Sequence, residues 1–253
     1  MSGSEAILRH CREINRCNQR GGRMLSVVDL IEAGTMTTEL AAYCLAAIGQ
    51  GASFMVGAMP GGAGKTTVMG SLLNFVPTGV ELVPADGQAV ISRGLRNPSQ
   101  RQCFICHEIG AGSYYAYLWD RELREYFSLA EAGHMLATNL HADTYEQAHD
   151  QICLQNEVPE AALRRMNLML FLSVHRGGRR QIETVWESDG QQSHRLIYKT
   201  GNGGFVEPSR LVTAPKLAAA GPIIERLISS GRRAIEDVRA LVIGLPKPYS
   251  PSD

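Results

Sequence analysis

A lysine and two threonines directly after a glycine-rich turn form a residue set that grips phosphate, and Met59-Pro60-Gly61-Gly62-Ala63-Gly64-Lys65-Thr66-Thr67 carries it. Gly61, Gly62 and Gly64 let backbone N–H groups turn inward around an anion, because no Cβ blocks the turn. Lys65 is placed to neutralise β- and γ-phosphate charge, and Thr66 to offer its hydroxyl to Mg²⁺. Pro60, Ala63 and Thr67 complete the cradle. The full pattern G-x-x-x-x-G-K-[ST] asks for glycine at 59, where this chain has Met59; Gly57 lies two residues too early to replace it. For chemistry on the bound phosphate the candidates are Glu108, Asp86 and His141. A carboxylate at the end of an apolar strand, partly desolvated and near Mg²⁺, can orient a water for in-line attack, and Glu108 is the residue expected to do so. His134 and His141 flank one strand seven residues apart. Their odd spacing turns the two rings to opposite faces, so they need not act together.

Positioning these residues requires strands and helices in alternation. The apolar run Ala52–Ala58 reads as the strand feeding the loop, and Val68–Val76 as the helix leaving it. Upstream, residues 5–19 read as an amphipathic helix with Ile7, Cys11 and Ile14 on one face. Thr37 is the expected N-cap of a helix buried through Leu40, Cys44, Leu45 and Ile48. Downstream strands are expected at 80–83, 103–106, 135–140 and 169–174, and a helix at 158–168. They deliver Asp86, Glu108 and His141 at their C-terminal ends. Strands alternating with helices imply a mostly parallel sheet covered on both faces, with ligands beyond the carboxyl ends of the strands. Residues 181–186 and 195–198 read as an antiparallel hairpin, followed by helices at 222–229 and 232–242 and a proline-rich end.

The chain has 253 residues and no net charge, so no global field draws it to nucleic acid or to an anionic membrane. Its longest apolar run is about half of what a spanning helix needs. The start lacks the charged and apolar regions of a signal peptide, and the protein reads as cytoplasmic. Cys11, Cys44 and Cys153 sit among apolar neighbours and read as small buried hydrophobes. Cys103-Phe-Ile-Cys106-His107 formally matches a c-type haem attachment site, although the same residues fit an interior strand.

Taken together, residues 25–187 resemble the ATPases of type II and type IV secretion systems and of pilus and archaellum assembly. Leu25–Gly34 looks like that family's lead-in, and residues 61–77 like its phosphate loop and following helix. Val83–Asp86 occupies the place of its acidic box, with Ala85 where a second acid usually stands. Ile105–Ile109 resembles its Walker B segment, with Glu108 at the catalytic glutamate, and Ala132–Asp143 is close to its histidine box.

The resemblance implies a RecA-like P-loop NTPase core, α/β, with a mostly parallel sheet, helices on both faces, and a C-terminal β-hairpin and helices. It places an N-terminal helix and linker at 1–24, the ATPase core at 25–176 and an extension of the same domain at 177–253. Lys65, Glu108, Asp86 and His141 become catalytic residues, and residues 60–67 with His134 become nucleotide-binding ones. Thr66, and Glu108 through water, would serve Mg²⁺. ATP and Mg²⁺ are the implied cofactors. The implied partners are further copies in a hexameric ring and a membrane platform of a secretion or filament machine, with no direct nucleic acid. A location in the cytoplasm, or peripherally at the inner face of the cell membrane, follows. The residues themselves leave open a nucleotide-switched factor with little turnover, and a P-loop kinase or nucleic-acid-dependent ATPase. Arg93, Arg96 and Arg101 are candidates for reaching a neighbouring subunit's phosphate. Tyr115, Trp119, Leu123 and Tyr126 are expected on one helical face, with an Asp120–Arg124 pair.

Overall fold

A computed structural model describes residues 3–18, 21–112 and 114–244. The elements begin with helices α1 (Gly3–Cys17), α2 (Val27–Glu32) and α3 (Thr38–Gly49), then strand β1 (Phe54–Gly57) and helix α4 (Lys65–Leu73). Next come β2 (Glu81–Pro84), α5 (Gln88–Arg96), β3 (Gln102–Ile109), β4 (Tyr117–Leu118), α6 (Asp120–Glu131) and β5 (Met135–Leu140). After β5 come α7 (Tyr145–His149), a π-helical turn (Asp150–Gln155), α8 (Glu160–Leu163) and β6 (Leu168–Val174). The chain closes with β7 (Arg180–Glu187), β8 (Arg195–Lys199), β9 (Gly204–Phe205), α9 (Ala214–Ser230) and α10 (Ile235–Val242). Two compact units result: Met1–Gly51 with Thr66–Gly79 and Val212–Asp253, and Ala52–Lys65 with Val80–Leu211.

The first unit is helical. On α1 the buried positions Ile7, Cys11, Ile14 and Cys17 recur at helical spacing. Thr37 caps α3 as its sequence position implies, its hydroxyl oxygen accepting from the Leu40 amide at 3.1 Å. The carbonyls at and beyond the end of α4 would be orphans in an isolated helix. Here His10 of α1 donates from Nε2 to the Leu73 carbonyl at 3.0 Å, and Arg239 of α10 donates to the carbonyls of Asn74 (2.7 Å) and Val76. α9 continues past Pro222 to Gly231, whose φ of 64° closes it.

Among the described residues the second unit holds a mixed sheet of nine strands in the order β2-β3-β5-β1-β6-β7-β8-β9, with β4 paired to β3. The first five run parallel, and β7, β8 and β9 extend them antiparallel. Residues of both parities are buried along β1, β3, β5 and β6, the pattern of a parallel sheet covered on both faces. One core joins Met55, Phe104, Leu136 and Met169 of the sheet to Leu123, Tyr126 and Phe127 of α6 and to Leu163 of α8. Tyr126 brings its hydroxyl to the carbonyls of Phe104 and Ala137, each at 3.0 Å, where a phenylalanine would leave both without it.

Several elements differ from their expected bounds. The loop helix starts at Lys65 rather than Val68 and ends at Leu73. The expected helix at 158–168 is one turn, because Leu168 is drawn into pairing with Phe54. Tyr115 and Trp119 do not share a helical face with Leu123 and Tyr126. Ala116 (φ 52°) and Asp120 (φ 47°) break the chain there, and Tyr117–Leu118 pairs with β3 instead. Arg124 reaches the Asn156 carbonyl, and the i,i+4 pair on α6 is Arg121–Glu125 rather than Asp120–Arg124. Residues 245–253, the proline-rich end, lie outside the described residues, as does Gln19 of the expected first helix.

Candidate nucleotide-binding site

In the parallel register Gly57 stands opposite Leu140 of β5 and Phe171 of β6, so the loop after β1 and His141 after β5 emerge at the same edge. Gly57 is required by close approach: a Cβ there would lie 2.6 Å from the Phe171 ring and 2.7 Å from the Ala142 carbonyl oxygen. The chain then turns through Gly62 (φ 83°) and Gly64 (φ 102°), conformations that disfavour any residue with a side chain. Met59 is not among the non-glycine residues with positive φ, and its side chain is half-exposed.

Hydrogen bonds from several elements hold the loop. The Met59 amide donates to Asp143 Oδ1 at 2.7 Å, and Lys65 Nζ donates to the Ala58 carbonyl at 2.9 Å. Arg180 Nε donates to the Gly62 carbonyl at 3.2 Å, and the Ala63 amide donates to the Pro60 carbonyl at 3.2 Å. Among the described residues the amides of Gly61, Gly62 and Gly64 have no hydrogen-bond acceptor.

Lys65 is buried, and its Nζ lies 3.6 Å from Glu108 Oε1 and 3.2 Å from His141 Nδ1. His141 Nδ1 is also 2.8 Å from the Met59 carbonyl, and its Nε2 is 3.8 Å from Glu108 Oε2. A carbonyl only accepts, so Nδ1 either donates to Met59 or accepts from Lys65; the two bonds exclude each other.

Glu108 comes from β3, one strand removed from β1. Between Cys106↔Thr138 and Ile109↔Leu140, β3 advances three residues while β5 advances two. This bulge at His107–Glu108 re-aims the carboxylate. Its irregular backbone is satisfied on both sides: Asn139 Nδ2 donates to the His107 carbonyl at 2.8 Å, and the His107 amide donates to the Ala116 carbonyl at 2.8 Å. Glu108 Oε1 is buried and, at ion-pair distance from Lys65, makes no hydrogen bond. Burial raises the Glu108 carboxyl above the usual carboxylate range, with Lys65 and His141 pulling back against it. Burial also lowers the Lys65 ammonium, which Glu108 opposes. A desolvated carboxylate with an unused oxygen beside a cation and unpaired amides suits anion binding and water orientation.

The remaining expected residues are placed as follows. Pro60, Gly61 and Ala63 lie in the loop, and Thr66 and Thr67 are the second and third residues of α4. Asp86 follows β2, three strands from β1, and accepts from the Ala116 amide at 3.4 Å. His134 is not brought to the loop, which corrects the expectation that it touches nucleotide. It precedes β5, at the opposite end of a strand that spans about 20 Å. There its Nδ1 accepts from the Gln102 amide, and its Nε2 bonds the Gly94 carbonyl at 3.1 Å. Arg93 and Arg96 end α5, and Arg101 precedes β3, toward that same far end of the sheet. Cys103 and Cys106 are buried within β3, and burial pushes the Cys106 thiol up to about 12; three residues apart on a strand, they face opposite sides and form no common attachment point. Cys153 is half-buried rather than enclosed. Arg180, Asp143, Asn139 and Gly57 were missed from sequence; their partners lie far along the chain, and only the glycine before the loop gave any local signal.

The site thus sits on a mixed, mostly parallel α/β sheet, with a glycine-rich loop after its central strand and an acidic residue from the next strand but one. No family model and no curated protein matches the sequence. Among solved structures the chain is similar to the VirB11 ATPase of the Brucella suis type IV secretion system, crystallised with sulphate. The identity is 21%, the TM-score is 0.43, and the match covers 63% of this chain and 54% of the other. The chain thus spans about half the length of that protein. No helix among the described residues is long and apolar enough to cross a membrane.

Proposed function

We propose that this chain binds ATP at residues 60–67 and hydrolyses it. One observation carries the reading: the buried Lys65 ammonium faces the Glu108 carboxylate at 3.6 Å beneath a loop with unpaired glycine amides. In this reading those amides and Lys65 hold the β- and γ-phosphates. Thr66 offers its hydroxyl to Mg²⁺, which when bound supplies further neutralisation of phosphate charge. As phosphate draws Lys65 away, the unused oxygen of Glu108 is free to accept a proton from a water and so aim it. His141 then keeps its bond to the Met59 carbonyl. Asp86 acts from the neighbouring edge rather than on Lys65. The resemblance of residues 25–187 to secretion and pilus-assembly ATPases extends the proposal to a homo-oligomeric, hexameric ring on a membrane platform. There, subunit rotation through the cycle drives a secretion or filament machine at the inner membrane face, without direct nucleic acid.

Steady-state hydrolysis and equilibrium nucleotide binding by wild type, Lys65→Ala and Glu108→Gln, across protein concentration, test this. Lys65→Ala should weaken binding at least about 100-fold. Glu108→Gln should bind ATP and lose about 100-fold or more in turnover. Activity rising steeply with concentration supports a site completed between subunits. Failure of the wild type to bind ATP refutes the whole reading. A second reading, a nucleotide-switched factor with little turnover, is favoured by the ion pair that already occupies Lys65. It predicts tight binding and a slow rate that Glu108→Gln leaves unchanged.

A further inference from the structure

Beyond the loop, the same unit gathers three metal-ligating side chains that the nucleotide reading does not use. His149 ends α7, Cys153 lies in the π-helical turn that follows, and Glu160 opens α8. One donor atom from each falls within 4.8 Å of the others, and His149 Nε2 already contacts Glu160 Oε1. Ligands of tetrahedral zinc stand about 3.3–3.8 Å apart, given metal–ligand bonds of about 2.0–2.3 Å. Side-chain adjustments of about an ångström therefore close a shell. The supporting backbone is fixed: Asn156 accepts from the Asp120 amide at 2.6 Å and donates to the Gln151 carbonyl at 2.8 Å. Tyr145, one turn before His149, is stacked on Trp186 with ring centroids 4.6 Å apart. Single π turns inside helices recur at functional sites, because the extra residue redirects a side chain.

We propose that His149, Cys153 and Glu160 bind one Zn²⁺. The donor set selects the ion. A thiolate disfavours Mg²⁺ and Ca²⁺, and one sulfur, one imidazole and one carboxylate suit zinc. Binding displaces the thiol proton to water, and thiolate plus carboxylate then cancel the metal's two charges. Three protein ligands leave a fourth position open, the arrangement of zinc sites that take water or an exchangeable ligand. His149 and Glu160 themselves line a groove of about 550 Å³, together with Tyr145, Asp150, Leu154 and Arg164. Arg164 Nε is buried there without an acceptor among the described residues, so the ligand class that fits the open position is a small anion.

The test uses the full chain without an affinity tag, stripped with a chelator, and titrated with Zn²⁺ against a chromophoric competitor and with Co²⁺ by absorbance. The expected result is one Zn²⁺ per chain, with affinity falling about 100-fold or more in both Cys153→Ser and His149→Gln. Cobalt should give a thiolate charge-transfer band that Cys153→Ser abolishes; the other five cysteines are buried and supply none. Circular dichroism of the metal-free variants checks folding, and if Cys153→Ser does not fold, His149→Gln on the half-exposed ring carries the comparison. Wild type that binds no Zn²⁺, or variants that bind it as tightly as wild type, overturn the proposal.

Discussion

Acid should loosen the anchor of α4, the helix that follows the glycine-rich loop, through His10. This imidazole is buried in the helical unit, and its Nε2 donates to the Leu73 carbonyl at the end of α4. Burial, and secondarily the Arg239 guanidinium, lower its pKa from 6.5 to about 3, against the opposing pull of the Leu73 carbonyl. The folded value lies below the unfolded one, so the unfolded chain binds the extra proton. The stability His10 contributes is therefore complete above pH 6.5 and is lost as pH falls toward 3. With those two values the linkage relation gives a loss of about 2 kcal/mol between pH 7.5 and pH 5. His10→Gln is the comparison, because its amide can reproduce the Nε2–H donor without titrating. Urea unfolding of both proteins at pH 7.5, 6 and 5 reads the effect as a difference of differences, which cancels any fixed cost of the substitution. Wild type should lose about 2 kcal/mol more than the variant over that range. Parallel loss, within about 0.5 kcal/mol, would mean that His10 is solvated or already charged, and the reasoning about α4 would fail.

Gly57→Ala forces a methyl against the Phe171 ring and the Ala142 carbonyl, and should destabilise by about 1–3 kcal/mol in urea unfolding. Asp143→Ala removes the acceptor of the Met59 amide; ATP affinity in a fluorescence titration should fall about fivefold, while Asp143→Asn, which keeps an oxygen, retains most of it. Tyr126→Phe takes a hydroxyl from two buried carbonyls and should lower unfolding free energy by about 1–2 kcal/mol, with no change in nucleotide affinity.

What sequence reveals here divides by the range of the interaction that decides it. The strand before the loop, the Thr37 cap and the central strands follow from apolar runs and turn residues a few positions apart, and they appear where expected. Tyr115 and Trp119 have helical spacing with Leu123, yet the helix does not form there. The edge of β3 offers Tyr117 and Leu118 unpaired backbone partners, and a tertiary ladder overrides a local preference. The bulge that aims Glu108 has no local signature, because it exists only relative to the register of β5. Asn139, which supplies the missing donor to the bulge, is an unremarkable strand residue until that register is known. His134 misleads for a different reason: it precedes β5 and so sits at the amino end of a parallel strand, opposite the end where the loop emerges.

The departure at position 59 now has a physical account. A phosphate loop needs glycine where φ is positive or where another backbone comes too close. In this chain those demands fall on Gly62 and Gly64 for φ, and on Gly57 for approach. Met59 meets neither demand. Its side chain projects outward, and its backbone serves as an anchor, with the amide on Asp143 and the carbonyl beside His141. Together with Arg180 on the Gly62 carbonyl and Lys65 on the Ala58 carbonyl, these bonds fix the loop through its carbonyls and through the amides of Met59 and Ala63. The amides of Gly61, Gly62 and Gly64 are left over. On the proposed reading, a loop held this way has met its ordering cost during folding, so an entering phosphate would need only to displace water and loosen the Lys65–Glu108 pair. If so, Arg180→Ala should weaken ATP binding chiefly through slower association, because the loop must then be ordered at each encounter. An unchanged association rate in stopped-flow mixing would show that the loop keeps its shape without that arginine.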